Sequence, residues 1–229
     1  MFFFILGAKG KNMYPNKVRR DIAILVPPDV KSVLEIGAGS GRNCVLYPKD
    51  AYKVAIEPEN REDMQTADKV AGGFNEYHHV FYEQYTEDRK FDLIVICDVL
   101  EHVNDPVDMI NFCKKHLNSE GHILISLPNF LSLETIFQIL VFRDFRYVRV
   151  DQGERCYGVL DINHKTFWTK KSFRRFAKEN GLEIEQTIGI RKQLKFMPRL
   201  LAHSNFLPLQ YGFLIKVKDF TPNERHWGM

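Results

Sequence analysis

The chain has 229 residues, of which 45% are hydrophobic and 27% charged, with a formal net charge of +3. That is enough apolar material for one α/β domain with a sizeable core plus a modest appendage, and it excludes a disordered chain. The mild basicity permits anionic partners, yet no basic run interleaved with aromatics marks a nucleic-acid binder. The four cysteines, Cys44, Cys97, Cys113 and Cys156, lie far apart with no Cys-x-x-Cys pair. They read as buried thiols of a reducing, cytoplasmic compartment, and no metal cluster is expected. Met1 to Leu6 is apolar but far too short to span a membrane or to serve as a secretion signal.

Val18, Ile22, Leu25 and Val26 fall at helical spacing until Pro27-Pro28 stops the pattern, which predicts an amphipathic helix ahead of the first strand. Tyr14, four residues before Val18, either pads that helix or covers a ligand. The stretch around which the rest is organised is Ser32 to Gly41, Ser-Val-Leu-Glu-Ile-Gly-Ala-Gly-Ser-Gly. Val33, Leu34 and Ile36 suit a strand buried on both faces, and Gly37, Gly39 and Gly41 suit a sharp turn lying against a ligand, with N–H groups at the following helix start facing it. A dinucleotide fingerprint needs a third glycine at the sixth place. Counting from Gly37 that place is Arg42, and from Gly39 it is Cys44, so a pyrophosphate site is disfavoured.

A helix is expected from Gly41 to about Tyr47, then a second strand from Lys53 to Ile56 that ends in Glu57 and Pro58. Glu57 lies twenty residues past Gly37, where Rossmann-like folds place an acid that accepts hydrogen bonds from both ribose hydroxyls. Asn60 to Asp63 reads as a helix start and Gly72-Gly73 as its end. The third strand is expected at His79 to Tyr82, and the acidic stretch after it offers Glu83 as a partner for an adenine amine, or simply forms a polar surface loop. Phe91 to Asp98 is nearly continuous in apolar residues and so predicts a central fourth strand. Its exit, Asp98 to Val103, is rich in titratable groups. A helix follows from Asp105-Pro106 to Leu117, Asn118 to Gly121 form a turn, and His122 to Leu127 form a fifth strand closed by Pro128-Asn129.

Phe130 to Phe142 is apolar on almost every side, thirteen residues long, and followed by Arg143, Arg146 and Arg149. Residues 130–168 thus form an insertion that is either a lid over an acceptor or a surface for a membrane or lipid-linked acceptor. The basic and apolar run from Arg191 to Leu201, within a second insertion at 191–210, repeats the mixture. Thr169 caps a helix whose apolar face is Phe173, Phe176 and Ala177, Asn180-Gly181 ends it, and Leu182 to Ile190 and Tyr211 to Val217 read as strands.

Glu35-x-Gly37-x-Gly39-x-Gly41 resembles the first motif of class I S-adenosylmethionine-dependent methyltransferases. Asp98-Val99-Leu100-Glu101-His102-Val103 with Asn104-Asp105-Pro106 is similar to the post-strand motif of the ubiquinone-biosynthesis type. Ile125 to Asn129 and His164-x-x-Phe167-Trp168-Thr169 match later segments of the same group, and Tyr14 to Pro28 looks like the entry segment of methyltransferases found beside glycan-building enzymes. The resemblance spans nearly the whole chain. It implies a Rossmann-like α/β fold with a central, mostly parallel seven-stranded sheet, helices on both faces and an antiparallel last strand, in one domain over 1–229.

It also implies S-adenosyl-L-methionine as cofactor, held by Tyr14, Glu35, Gly37, Ala38, Gly39, Gly41, Glu57, Pro58, Glu83, Cys97 and Asp98. The expected reaction is O-methylation of a small-molecule or glycan hydroxyl. Methyl transfer from a sulfonium needs little beyond alignment, but a hydroxyl must lose its proton, and histidine is the natural base. His164 is the first candidate and His102 the second; either can instead be a structural loop histidine. Two rivals remain: a nicotinamide-dependent oxidoreductase, and a homologue that binds cofactor without catalysis.

Overall fold

The computed structural model describes residues 18–58, 73–143, 163–190 and 208–224. Seven strands form one sheet: β1 (Ser32–Ile36), β2 (Tyr52–Ile56), β3 (Glu76–His78), β4 (Phe91–Cys97), β5 (Leu117–Pro128), β6 (Leu182–Ile190) and β7 (Gln210–Val217). Their order is β3-β2-β1-β4-β5-β7-β6. The first five are parallel, and β7 inserts antiparallel between β5 and β6. β4 is therefore the central strand, as its nearly unbroken apolar run demands of a strand covered on both faces. The chain reverses between β1 and β4, so the carboxyl ends of β1, β2 and β4 diverge around a crevice, where ligands of such sheets bind.

Side-chain alternation sorts the strands into two cores. Leu34, Ile36, Ile94, Ile96, Ile123 and Ile125 pack on one face beneath α1 (Pro106–His116) and α3 (Lys170–Glu179). Asp105 caps α1 by accepting from the N–H of Val107, and Thr169 and Ser172 form a reciprocal cap on α3. Val33, Ala55, Leu93, Val95 and Leu124 pack on the other face with Ile22, Leu25, Cys44, Tyr47 and Phe74. On that face the structure corrects two expectations. The amphipathic helix at 18–26 is, over the described residues, a single 3-10 turn at Ala23–Leu25. Ile22 and Leu25 are buried as the periodicity required, but Arg19 is drawn to side chains on other elements instead of continuing a helix. The helix after Gly41 is a 3-10 helix at Arg42–Leu46 that ends at Tyr47. The helix expected from Asn60 lies outside the described residues.

The third strand is Glu76–His78, earlier than the expected His79 to Tyr82. Val80 and Tyr82 supplied the apolar signal, yet they pack on the first core from a loop and a 3-10 turn at Tyr82–Gln84, while Phe81 is exposed. The turn expected at Asn118 to Gly121 is instead a bulge in β5, since Phe91 pairs with Leu117 but Leu93 pairs with His122. Asn118 Nδ2 donates to Asp92 Oδ1 at 2.7 Å, and the backbone N–H groups of Lys31 and Ser32 donate to the other oxygen of the same carboxylate. One acid thus ties together the starts of β1, β4 and β5. The insertion begins with α2 (Leu133–Phe137) and a π-helical turn at Gln138–Phe142. Its Leu133, Phe137, Leu140 and Val141 are 53–71% exposed, so this part of it presents apolar surface outward.

Candidate active site

Glu35 is buried on the second face, because it alternates with Leu34 and Ile36, which pack on the first. Its carboxylate accepts from Tyr47 Oη at 2.7 Å and from Asn43 Nδ2 at 2.8 Å, both carried by the segment that follows the glycine loop. Burial pushes this carboxyl up to about 7; the two donors oppose the rise, and nearby Glu57 adds to it. The acid of the first motif is thus a neutral-range group locked under the loop.

The loop turns through positive φ at Gly37, Gly39 and Gly41, at 73°, 57° and 70°. A Cβ on Gly37 would lie 2.3 Å from Val99 Cγ2, whereas one on Gly39 would meet nothing within 4 Å. The open side at Gly39 is therefore where a ligand can lie against the backbone. Most of the loop N–H groups are spent inside the protein. Those of Gly37 and Ala38 donate to the Ile56 carbonyl, that of Gly41 to the Ala38 carbonyl, and that of Gly39 to Glu57 Oε2 at 2.7 Å. With those donors engaged, the loop suits an uncharged nucleoside better than a pyrophosphate. Glu57 is held at the end of β2, next to Gly39, with exposed Pro58 behind it.

At the end of β4, Asp98 takes φ 56°, an unusual turn for a non-glycine residue. Its carboxylate meets Arg19 Nη1, accepts from Ser126 Oγ at 2.9 Å, and takes a longer contact from Gln210 Nε2. Arg19 also donates to Asp21 and to Gln210 Oε1, and its backbone N–H donates to Asn43 Oδ1 at 2.9 Å. Burial alone would lower the Arg19 pKa, but Asp98 and Asp21 outweigh it and hold the guanidinium firmly charged. Cys97 beside it is a half-buried free thiol, pushed up by burial. Sequence reasoning named Asp98 and Cys97 but missed Arg19, Asn43, Tyr47 and Gln210. No local signal marks Arg19, since its partners stand 79 and 191 positions away.

The two histidine candidates meet. The rings of His102 and His164 lie 4.7 Å apart, and Phe167 packs between His164 and Phe130, at 6.4 Å and 5.4 Å. The loop carrying His164 is fastened at both ends: the Glu101 carbonyl accepts from the N–H groups of Lys165 and Thr166, and the Trp168 carbonyl accepts from Phe130. His102 Nδ1 lies 3.2 Å from the Asn163 carbonyl. A carbonyl only accepts, so in that contact Nδ1 is the donor, and in the neutral ring Nε2 is then the atom with the lone pair. Buried Glu101 brings a carboxylate to the same place, and one ligand-type atom from each of Glu101, His102 and His164 lies within 4.8 Å of the others.

The structure therefore gathers Glu35, Gly37, Ala38, Gly39, Gly41, Glu57, Cys97 and Asp98 at the ends of β1, β2 and β4, and His102 with His164 on the adjoining loops. Glu83 is exposed on the turn after β3, with Tyr82 as its neighbour. Tyr14 lies outside the described residues. Asn129 is spent structurally, with Nδ2 donating to the Pro208 carbonyl and Oδ1 accepting from Leu131. Among the described residues no helix is long and apolar enough to cross a membrane.

The methyltransferase-domain family model matches residues 12–187. The ubiquinone biosynthesis O-methyltransferase of Pasteurella multocida is 31% identical over 113 residues, which are 43% of this chain and 47% of that protein. The like-named protein of Pseudomonas aeruginosa is 21% identical over 170 residues, 70% of this chain and 68% of that one. The chain thus spans about half the length of several curated relatives it matches. Among solved structures, a SAM-dependent methyltransferase from Archaeoglobus fulgidus has a TM-score of 0.58 at 14% identity, covering 86% of this chain and 91% of that one. The plantazolicin methyltransferase BpumL in complex with SAH has a TM-score of 0.54 at 17% identity, covering 82% and 76%. With the crevice, the glycine loop and the terminal acid of β2 in place, the chain belongs to the class I S-adenosylmethionine-dependent methyltransferases.

Proposed function

We propose that the protein transfers the methyl group of S-adenosylmethionine to a hydroxyl of a small-molecule or glycan acceptor. The observation that supports this most is the pairing of His102 with His164 over the loop after β4, beside the cofactor crevice. The cofactor supplies a methyl group on a positive sulfur, an electrophile that needs no further activation. Glu57 binds the ribose hydroxyls, Gly39 leaves room for the nucleoside, and Asp98 and Arg19 face the amino-acid end with complementary charges. Glu83 and Tyr14 belong to the same reading as contacts to adenine and as a cover.

The histidine pair takes the acceptor's proton. His102 Nε2 holds a lone pair in the tautomer its Asn163 contact fixes, so the base is read as the pair, with His164 as the member on the acceptor side. Phe130 and Phe167 form an apolar wall next to it. His164→Ala is expected to lower turnover roughly a hundredfold while S-adenosylhomocysteine binding stays near normal. An unchanged rate with a phenolic acceptor would remove the pair from the mechanism.

The Glu101, His102 and His164 trio also favours a second reading, in which a divalent cation fixes the acceptor oxygen there. Chelation by EDTA then stops turnover, and the base reading leaves it intact. The exposed apolar face of α2, followed by Arg143, suits a lipid-linked acceptor or an anionic membrane surface. Cosedimentation with phosphatidylglycerol vesicles tests that contact, and Phe137→Ser is expected to weaken it.

A further inference from the structure

The crevice lies at the carboxyl ends of the strands. At the amino ends of β2 and β3 there is a second cavity, of about 470 Å3, walled by Lys49, Asp50, Tyr52 and Lys53 on the chain entering β2 and by Gly73 and Asn75 on the chain entering β3. Lys53 stands four residues before Glu57, about 13 Å away at the rise of a β-strand, so the two places are separate.

Lys53 is the unusual part of this wall. It shares the face of Ala55 and is only 2% exposed. A lysine is almost never buried to that degree unless its charge is paired. Yet Nζ donates to the Lys49 carbonyl at 3.1 Å, a neutral acceptor, and among the described residues no carboxylate pairs with it. The other buried lysine, Lys114, also ends on a carbonyl, that of Thr221, but has the charge of Asp219 nearby. An ammonium carries three N–H donors, so two of those on Lys53 remain for a further acceptor. Asn75 adds another. Its Oδ1 accepts from the Lys53 backbone N–H at 2.8 Å, which leaves Nδ2 to donate elsewhere. On the described wall Lys49 and Lys53 outnumber the single acid, Asp50.

We propose that this cavity is a second ligand site, which takes the phosphate group of a small phosphorylated molecule onto Lys53 Nζ, with Asn75 Nδ2 and Lys49 as further donors. Phosphate suits lysine, a point charge with rotatable donors, whereas a planar carboxylate is matched best by the arginine fork, and no arginine is on the described wall. The volume exceeds that of a bare phosphate and falls in the range that holds small molecules. The anion brings the charge that Lys53 lacks within the fold and completes its hydrogen bonds. This site goes beyond methyl transfer and does not depend on it.

Calorimetry of the whole protein with inorganic phosphate and with glycerol 3-phosphate, at constant ionic strength, reads the site. Both are expected to bind saturably, glycerol 3-phosphate at least as tightly, with acetate at least roughly tenfold weaker and saturating S-adenosylhomocysteine without effect. Lys53→Met keeps the apolar stem and removes the charge, and is expected to weaken phosphate by at least roughly tenfold. Lys49→Gln and Asn75→Ala are expected to weaken it by about threefold each. No saturable phosphate binding by the parent, acetate as tight as phosphate, or parent-like affinity in Lys53→Met would overturn the proposal. Should Lys53→Met fail to fold, parent-like affinity in both Lys49→Gln and Asn75→Ala would overturn it. Displacement of phosphate by S-adenosylhomocysteine would do the same, because the anion would then lie in the crevice.

Discussion

The glycine-loop end and the histidine end of this molecule are built in opposite ways. In the first, Glu35 and the three glycines lie within one run from β1 into its turn, and Glu57 sits at the end of the neighbouring strand. In the second, His102 and His164 stand 62 positions apart and meet because backbone bonds, among them those to the Glu101 carbonyl, hold the late loop. A site made by one turn is specified by local geometry; a site made by two distant loops is specified by the packing between them. The first should therefore fail through backbone changes, the second through loss of single side chains.

The largest effect is expected at Gly37. Gly37→Val puts a branched carbon into Val99 at a positive φ, and the protein should lose several kcal/mol of stability or fail to fold, as read by thermal or urea denaturation. Gly39→Val differs because no atom lies within 4 Å: it should fold at a cost of about 1–2 kcal/mol for the backbone conformation and yet lose S-adenosylhomocysteine binding. Equal effects at the two glycines would break the assignment of the open side to ligand.

Glu57→Ala should weaken S-adenosylhomocysteine binding by at least roughly tenfold, through loss of charge-assisted bonds to the ribose, and Glu57→Gln should weaken it less. Calorimetry on both variants checks this, and parent-like affinity in each would move the ribose elsewhere. At the histidine pair, combining His102→Ala with His164→Ala should cost little more turnover than the worse single change if the two act as a unit. A product of the two single effects would make them independent.

The smallest effect concerns His116, buried under Phe112 and Tyr85 with Nδ1 against the Arg89 carbonyl. Burial, chiefly, depresses its pKa, so the unfolded chain binds the proton more readily. Stability from this group is present above its unfolded pKa of about 6.5 and is lost as pH falls through that value. Thermal melts of the parent between about pH 7.5 and 5.5 should show a decline that His116→Phe reduces.

Much of the fold was legible because strands covered on both faces must be mostly apolar, a signature that β4 and most of β1 and β2 carry, while the antiparallel β6 alternates apolar with polar residues. Two of the errors share one cause. Val80 with Tyr82, and Ile22 with Leu25, are apolar as a strand and a helix would require, but they bury those side chains from turns, and periodicity alone does not distinguish the two. Of the crevice residues, Glu35 was singled out by the resemblance of its motif, and the glycines and Glu57 by their spacing. Arg19 and Tyr47 were not, since an arginine in a basic entry segment and a tyrosine after a short helix carry no mark of the carboxylates they meet.

By itself, the sequence determined the order of the strands along the chain, the glycine turn after β1 and the acid at the end of β2, because backbone sterics and residue alternation act over a few neighbours. Only the tertiary structure decided that Glu35 is enclosed, that Arg19 reaches Asp98 and that His102 faces His164. Those outcomes depend on which segments are packed together, and burial then sets the charge state of Glu35, a property that no residue possesses before the chain has folded.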